Sequence, residues 1–206
     1  MAAKNGQHAS GSAEWWTPPE IVEPARLLFG GFDLDVASCL DANRIVQARS
    51  FYSAHDDGIL NGDKRREWNA DVVWCNPPSR RGQNAAWEWW VHAAREWLAG
   101  RVEVLFFVVF NPSTFFQTAA EHSRCASVPT PQKAARVEFF KRVRYLRASP
   151  VHGLPGFEMT YERGDAPPHG SAILMLSADS EHASRFGKAY EELGDCVVPL
   201  RMPTRK

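Results

Sequence analysis

The stretch Asp71-Val72-Val73-Trp74-Cys75-Asn76-Pro77-Pro78-Ser79 predicts a buried strand that ends abruptly in an amide and two prolines. Its first five residues are mostly apolar and partly β-branched, which is typical of a strand covered on both faces in a parallel sheet. Pro77 and Pro78 end the strand, because a proline has no N–H to donate to a neighbouring strand. We therefore expect a stiff turn at the carboxyl end of a strand, where open α/β sheets bind their ligands.

This turn carries two fixed hydrogen-bond acceptors. Asn76 has a neutral side-chain oxygen, and Pro77 has a backbone carbonyl close to it. Two such acceptors suit an exocyclic amino group, since accepting both of its hydrogens localises the nitrogen lone pair for attack on an electrophile. The alternative is an ordinary loop turn, because Asn-Pro is common in turns. The turn by itself leaves both interpretations open.

Length and charge indicate one globular domain without a global attraction to nucleic acid. The chain has 206 residues, and its 24 Lys and Arg residues balance 24 Asp and Glu residues. Any site for a polyanion must therefore come from a local excess of positive charge. Residues 1–13 are small and polar, which predicts a disordered tail before a single domain over 14–206.

Several classes of site and location are disfavoured by the sequence. The four cysteines are widely spaced without a C-x-x-C pair, and the seven histidines show no metal-binding spacing. We expect reduced thiols, no disulfide framework and no metal. No apolar run approaches the ~18 residues of a membrane span, and the N-terminus lacks a signal-peptide apolar region. We predict a cytoplasmic chain with no membrane partner.

The rest of the chain alternates between strand and helix patterns, which predicts a parallel sheet with crossover helices. The last two strands have no clear helix between them, so we expect an antiparallel hairpin that closes the sheet. Thr17 is the expected N-cap of the first helix, with Pro18 as its first residue. Helices are predicted over 18–29, 40–48, 85–98, 114–121 and 181–193, and strands over 32–38, 49–53, 71–75, 102–110, 136–146 and 170–177.

Six short pieces of the chain, none specific alone, resemble one family when they are taken in order. They are Trp16-Thr17-Pro18, Phe32-Asp33-Leu34-Asp35-Val36-Ala37, Asp57-Gly58-Ile59-Leu60 with Trp68, Asn76-Pro77-Pro78, Arg136-Val137-Glu138-Phe139 and Gly170-Ser171-Ala172. The chain resembles the phage-type DNA N6-adenine methyltransferases, which are short S-adenosyl-L-methionine-dependent enzymes related to Dam. The resemblance implies an α/β, Rossmann-like class I methyltransferase fold. Its mostly parallel seven-stranded sheet would have an antiparallel closing strand and helices on both faces.

The resemblance also implies which residues form the site. Asn76-Pro77-Pro78 matches the catalytic motif that holds the target amino group. S-adenosyl-L-methionine would lie beside Asp35 and Ala37 at the end of the first strand. Trp16-Thr17-Pro18 matches the N-terminal cofactor motif, and Asp57 would lie near the adenosine half of the cofactor.

Ser79, which we count with the catalytic turn, departs from the family pattern. The family has an aromatic residue at this position that stacks on the flipped base, and such a stack contributes roughly 1–3 kcal/mol. Three explanations stay open. Another aromatic residue supplies the platform, with Trp87 and Trp74 as candidates, or the target is not a flipped adenine, or activity is impaired. Two alternative interpretations of the function stay open. The chain methylates another amino group, such as cytosine N4 or a protein glutamine, or it is an inactive relative that binds nucleic acid.

Local positive charge predicts the contacts with DNA, single- or double-stranded. Arg80 and Arg81 follow the turn, and Trp87 lies on the next helix. The basic run Lys141, Arg142 and Arg144, with its basic neighbours, is opposed by Glu138 alone. Such a run is either a solvated face or, beside a nucleobase site, a track for phosphates.

Assembly and origin are less defined by the sequence. The chain is expected to be a monomer or a homodimer, and the tryptophan-rich helix over 85–98 is a candidate for an oligomer surface. The resemblance implies a phage or prophage origin in a bacterial host, with protection against restriction as the natural role.

Overall fold

The computed structural model describes residues 15–78, 85–148, 161–164, 167–201 and 203–204. The predicted tail over 1–13 lies outside the described residues, and so do Ser79, Arg80 and Arg81. The helices are α1 (Pro19–Phe29), α2 (Leu40–Val46), α3 (Ala85–Leu98), α4 (Pro112–Ala126) and α5 (Ser180–Tyr190). The strands are β1 (Leu34–Asp35), β2 (Ser50–Phe51), β3 (Leu60–Asn61), β4 (Lys64–Arg65), β5 (Val72–Cys75), β6 (Val104–Phe110), β7 (Ala135–Phe139), β8 (Leu146–Ala148), β9 (Tyr161–Arg163), β10 (Ser171–Leu176) and β11 (Gly194–Val197).

A seven-stranded sheet, in the order β11-β7-β10-β6-β5-β1-β2, forms the centre of the described chain. Strands β2, β1, β5 and β6 pair in parallel. Strand β10 is antiparallel to both β6 and β7, so β7 runs in the same direction as β6. The predicted antiparallel pairing of the two late strands is therefore confirmed.

The prediction of one antiparallel closing strand is incomplete. Strand β10 inserts between β6 and β7, and β11 then pairs antiparallel with β7 at the sheet edge. Two strands thus run against the other five. The sequence pattern missed β11 because its half-exposed residues lack a clear apolar alternation.

Helices cover both faces of the sheet, as predicted, and the side chains of β6 pack against helices on each face. Alternate side chains of a strand point to opposite faces. Leu105, Phe107 and Val109 pack with α3 and α4, whereas Val104, Phe106 and Val108 pack with α1 and α5. Each large apolar side chain buried in this way contributes roughly 1.5–3 kcal/mol relative to an exposed one. The continuous apolar run of β6 is thus explained by burial on both sides.

Several element boundaries differ from the predictions. Helix α1 has Pro18 as its N-cap without a side-chain hydrogen bond, so the predicted capping by Thr17 is wrong. Helix α4 begins two residues earlier than predicted, because the Asn111 side chain accepts a hydrogen bond from Thr114 N and caps its first turn, and the helix continues to Ala126. The strand predicted over 136–146 is two separate strands, β7 and β8, joined by residues 140–145. A hairpin of β3 and β4 was not predicted.

Candidate active site

A cavity of about 300 Å³ opens at the carboxyl edge of the sheet. Its walls come from the segments that follow β1, β2 and β5 and from the segment that precedes α1. After β1 the chain moves outward to β2 and then returns to β5 on the other side of β1. The cavity therefore lies at the point where the strand order reverses, which is the usual ligand site of an open α/β sheet.

The structure brings most of the predicted site residues to this cavity. Among the described residues predicted for catalysis or cofactor binding, Pro18 is the exception, because it is buried at the start of α1 and does not line the cavity. The predicted residues in the cavity wall are Trp16, Thr17, Asp35, Ala37, Asp57, Asn76, Pro77 and Pro78.

The side-chain amide of Asn76 has a hydrogen-bond partner at its nitrogen but not at its oxygen. Its Nδ2 donates a hydrogen bond of 3.0 Å to the Trp15 carbonyl. Its Oδ1 is buried and has no hydrogen-bond partner among the described residues. Leaving a buried polar atom unpaired costs roughly 1–3 kcal/mol, and such atoms are uncommon in folded proteins. The amide is thus held with a free acceptor in a cavity wall, directly before the Pro77 carbonyl.

Two further buried polar atoms in the cavity wall have no partner among the described residues. They are the hydroxyl of Thr17 and the indole Nε1 of Trp74. The hydroxyl can donate or accept a hydrogen bond, whereas the indole N–H can only donate. Together with Asn76 Oδ1, they offer a ligand both donors and acceptors.

Asp35 is a buried acid at the end of β1. Burial raises the pKa of its carboxyl to about 7, although a hydrogen bond with Ser38 and another from Ala37 N lower the pKa in part. Ala37 N lies 3.3 Å from Asp35 Oδ1. A cationic or hydrogen-bond-donating group in the cavity would favour the charged form of this acid.

Asp57 and Gly58 shape the wall on the β2 side. Asp57 has a positive φ of 52°, and its Oδ1 accepts hydrogen bonds from Ile59 N and Leu60 N at 2.8 and 3.1 Å. At Gly58, a Cβ atom would lie 2.1 Å from the Val36 carbonyl and 2.6 Å from the Trp89 ring. Only glycine fits between these two walls of the cavity.

The aromatic residues of the site differ from those predicted. Trp87 is buried in the core and does not line the cavity, so the structure does not bring this candidate platform to the site. Trp74 lines the cavity but is fully buried, with its ring packed against Phe32. Trp89 also lines the cavity, but it was not identified from the sequence, from which only Trp87 was named on this helix. The burial of these side chains also removes the expectation that α3 presents a tryptophan-rich oligomer surface.

The basic segment 141–144 leaves β7 at the same edge of the sheet as the cavity. Lys141, Arg142 and Arg144 are exposed, and Phe140 just before them is exposed as well. Arg142 Nη1 donates to the Pro167 carbonyl at 3.1 Å, and Arg144 Nε donates to the Gly164 carbonyl at 2.9 Å. These contacts fix the segment while leaving positive charge accessible.

Comparisons with models of protein families, with curated proteins and with solved structures each give no match. Among the described residues, no helix combines the length and the apolar character needed to cross a membrane. The same part of the chain contains no group of three or more His, Cys, Asp or Glu side chains placed to hold a metal ion.

Proposed function

We propose that this chain transfers the methyl group of S-adenosyl-L-methionine to the exocyclic N6 of adenine in DNA, on a Rossmann-like class I methyltransferase fold. One observation carries the proposal. Asn76 Oδ1 is a buried acceptor without a partner among the described residues, held beside the Pro77 carbonyl at the carboxyl end of β5.

The two acceptors suit an amino group attached to an aromatic ring. Such a nitrogen shares its lone pair with the ring and is a poor nucleophile. Asn76 Oδ1 accepts one N–H hydrogen and the Pro77 carbonyl accepts the other, which localises the lone pair on nitrogen and aims it out of the ring plane. Acceptors that are already in place lower the barrier without reorganisation during the reaction. No strong base is required, because the extra proton on the methylated amine can leave to water.

The cavity walls fit the cofactor that the reaction needs. S-adenosyl-L-methionine supplies a methyl group made electrophilic by its sulfonium. Asp35, Thr17 and Asp57 would hold it, since a buried acid suits a cationic group and an unpartnered hydroxyl suits a polar one. The volume of about 300 Å³ is at the lower end of typical small-molecule sites.

DNA would approach from the carboxyl edge of the sheet. A stacked adenine cannot reach the turn, so the base must leave the duplex or come from a single strand. The exposed cations of segment 141–144 stand at this edge and would contact phosphates without reading sequence.

The test is methyl transfer from labelled S-adenosyl-L-methionine to unmethylated DNA, followed by identification of the nucleosides by mass spectrometry. The wild type should give N6-methyladenine, and the Asn76→Ala variant should give none. A product of N4-methylcytosine would move the assignment to cytosine. Intact cofactor binding without any labelled nucleoside would favour another amine or amide, such as a protein glutamine. No binding of the cofactor at all would favour a nucleic-acid-binding relative without activity.

A further inference from the structure

Four tryptophans line the described part of the cavity, and they differ in how much surface they leave free. Trp16, Trp74 and Trp89 are at most 8% exposed, so little of their rings remains for a ligand. Trp15 is only half-buried, although it lies in the same wall. Among these four residues, Trp15 leaves the largest exposed fraction.

Trp15 is also the residue that contacts the amide of the catalytic turn. Its carbonyl accepts the hydrogen bond from Asn76 Nδ2 at 3.0 Å. An amine held by Asn76 Oδ1 therefore lies close to the Trp15 residue, and the ring that carries this amine needs an apolar neighbour for its face. Ser79, directly after Pro78, cannot provide an aromatic ring.

The position of Trp15 is fixed by its neighbours. Trp16 and Leu146 exchange two backbone hydrogen bonds of 2.9 Å, which pin the segment to β8. The Trp15 ring packs against Gly164, where an added Cβ would lie 2.3 Å from the ring atom Cζ3. The Gly164 carbonyl in turn accepts a hydrogen bond from Arg144. Trp15 thus stands between the amide acceptor and the basic segment, held by contacts on both sides.

We infer that Trp15 supplies the aromatic surface on which the target base stacks while its amine is bound by Asn76. The inference rests on the proposed function and assigns base binding to a side chain that the catalytic motif does not contain. A planar nucleobase gains stacking on indole regardless of its identity, so Trp15 contributes affinity for the extruded base and not selection of the sequence around it.

The experiment compares Trp15→Ala, Trp15→Leu and Trp15→Phe with the wild type in DNA methylation, with KM for DNA and kcat determined separately. All three variants keep the backbone carbonyl that holds Asn76. Trp15→Ala and Trp15→Leu should raise KM for DNA about 5- to 150-fold, the range expected for one base stacked on an aromatic ring. Trp15→Phe should stay near the wild-type KM.

The affinity for S-adenosyl-L-methionine, measured by calorimetry, should not change. Leu27→Ala on α1 is the control for loss of a large apolar side chain, because Leu27 is 72% exposed and does not line the cavity.

Equal behaviour of Trp15→Leu and Trp15→Phe would overturn the inference, because packing and not an aromatic face would then be what matters. A parallel loss of cofactor affinity would also overturn it. If Trp15→Ala does not fold, the comparison between the Leu and Phe variants still decides. Methylation by the wild type with an unaffected Trp15→Ala variant would refute the stacking role alone, whereas a wild type that methylates no DNA would refute the proposed function and this inference with it.

Discussion

Asn76 Nδ2 donates its hydrogen bond to the carbonyl of Trp15, a residue 61 positions earlier in the chain. The contact ties the turn after β5 to the segment before α1 and determines which end of the amide is left free. Asn76→Ala removes the acceptor Oδ1, so kcat for methyl transfer should fall about 100- to 1000-fold or more, as when a preorganised hydrogen-bonding group is removed elsewhere. Binding of S-adenosyl-L-methionine, measured by calorimetry, should change little. A comparable loss of cofactor affinity would instead mean that Asn76 holds the cavity together.

The buried Asp35 should make stability depend on pH. Its pKa is about 7 in the folded chain, above the value of 3.8 for an ordinary aspartate. Between these two values the folded state binds more protons than the unfolded state, so the free energy of unfolding should fall as pH rises from about 4 to about 7 and then level off. The effect of this one group is at most roughly 4 kcal/mol. Urea unfolding of the unliganded protein across this pH range measures it.

Asp35→Asn provides the control for that pH dependence. The variant keeps a similar shape but does not titrate, so its unfolding free energy should vary less between pH 4 and 7 than that of the wild type. An identical pH dependence in both proteins would show that other groups are responsible. Binding of a cationic ligand should respond in the opposite direction, since the carboxylate that attracts it forms as pH rises through about 7.

Gly58 should not tolerate a larger residue. A Cβ at this position would lie 2.1 Å from the Val36 carbonyl oxygen. This oxygen belongs to the backbone, so relieving the clash would require a shift of the main chain. Gly58→Ala should therefore lower the free energy of unfolding by about 1–3 kcal/mol and weaken cofactor binding, because both contacts form the cavity wall. Gly170→Ala is the matched control, since an added Cβ there meets nothing within 4 Å. Equal effects in the two variants, measured by urea unfolding, would contradict the packing argument.

The buried acid Glu96, paired with the partly exposed Arg101, supports the same wall through Trp68. Glu96 accepts hydrogen bonds from Arg101 Nε at 2.6 Å and from Trp68 N at 2.9 Å, and Trp68 Nε1 donates to the Gly58 carbonyl at 2.7 Å. Burial raises the pKa of Glu96, but these hydrogen bonds outweigh burial and the net pKa is lowered. Arg101→Ala would leave the buried acid without its cation and should destabilise the fold by up to about 3 kcal/mol, the lower end of the range for a fully buried pair, because Arg101 is 31% exposed.

The ion pair of Arg49 and Asp33, in which the arginine is exposed, is the comparison for that prediction. Arg49 Nη1 lies 2.8 Å from Asp33 Oδ1, but the arginine side chain is 82% exposed. Arg49→Ala should therefore change the free energy of unfolding by no more than about 1 kcal/mol. If urea unfolding gave the same loss for both arginine variants, burial would not be the reason for the effect at Arg101.

The fold was predictable where local patterns and burial agree. The end of β5 at Cys75, shortly before Pro77, the full extent of α3 and the apolar run of β6 all follow from features within a few neighbouring residues. Strand β11 was not predictable in this way, because its place at the sheet edge depends on pairing with β7, more than fifty residues earlier.

In the site, too, residues that follow a strand pattern could be predicted, whereas contacts between distant segments could not. The turn at Asn76 and the acid at Asp35 could be recognised from the sequence, since each follows a strand pattern directly. Trp89 could not, because its role depends on the absence of a side chain at Gly58, across the cavity wall. The contact between Trp15 and Asn76 likewise joins two segments that no local pattern relates. Trp87 was misjudged because exposure cannot be read from the spacing of tryptophans on a helix.

The cations of segment 141–144 should dominate the salt dependence of DNA binding. Each phosphate contact lowers the slope of log K against log salt concentration by about 0.9 for duplex DNA. Replacing Lys141, Arg142 and Arg144 by glutamine should therefore make the slope less steep by about 2–3 and weaken binding to all sequences alike. Lys64→Gln with Arg65→Gln, on the exposed hairpin of β3 and β4, removes two cations outside the cavity wall and should leave the slope nearly unchanged. Fluorescence anisotropy with labelled DNA at several salt concentrations measures the slopes. An equal change of slope in both sets of variants would mean that segment 141–144 is a solvated face with no special role in DNA binding.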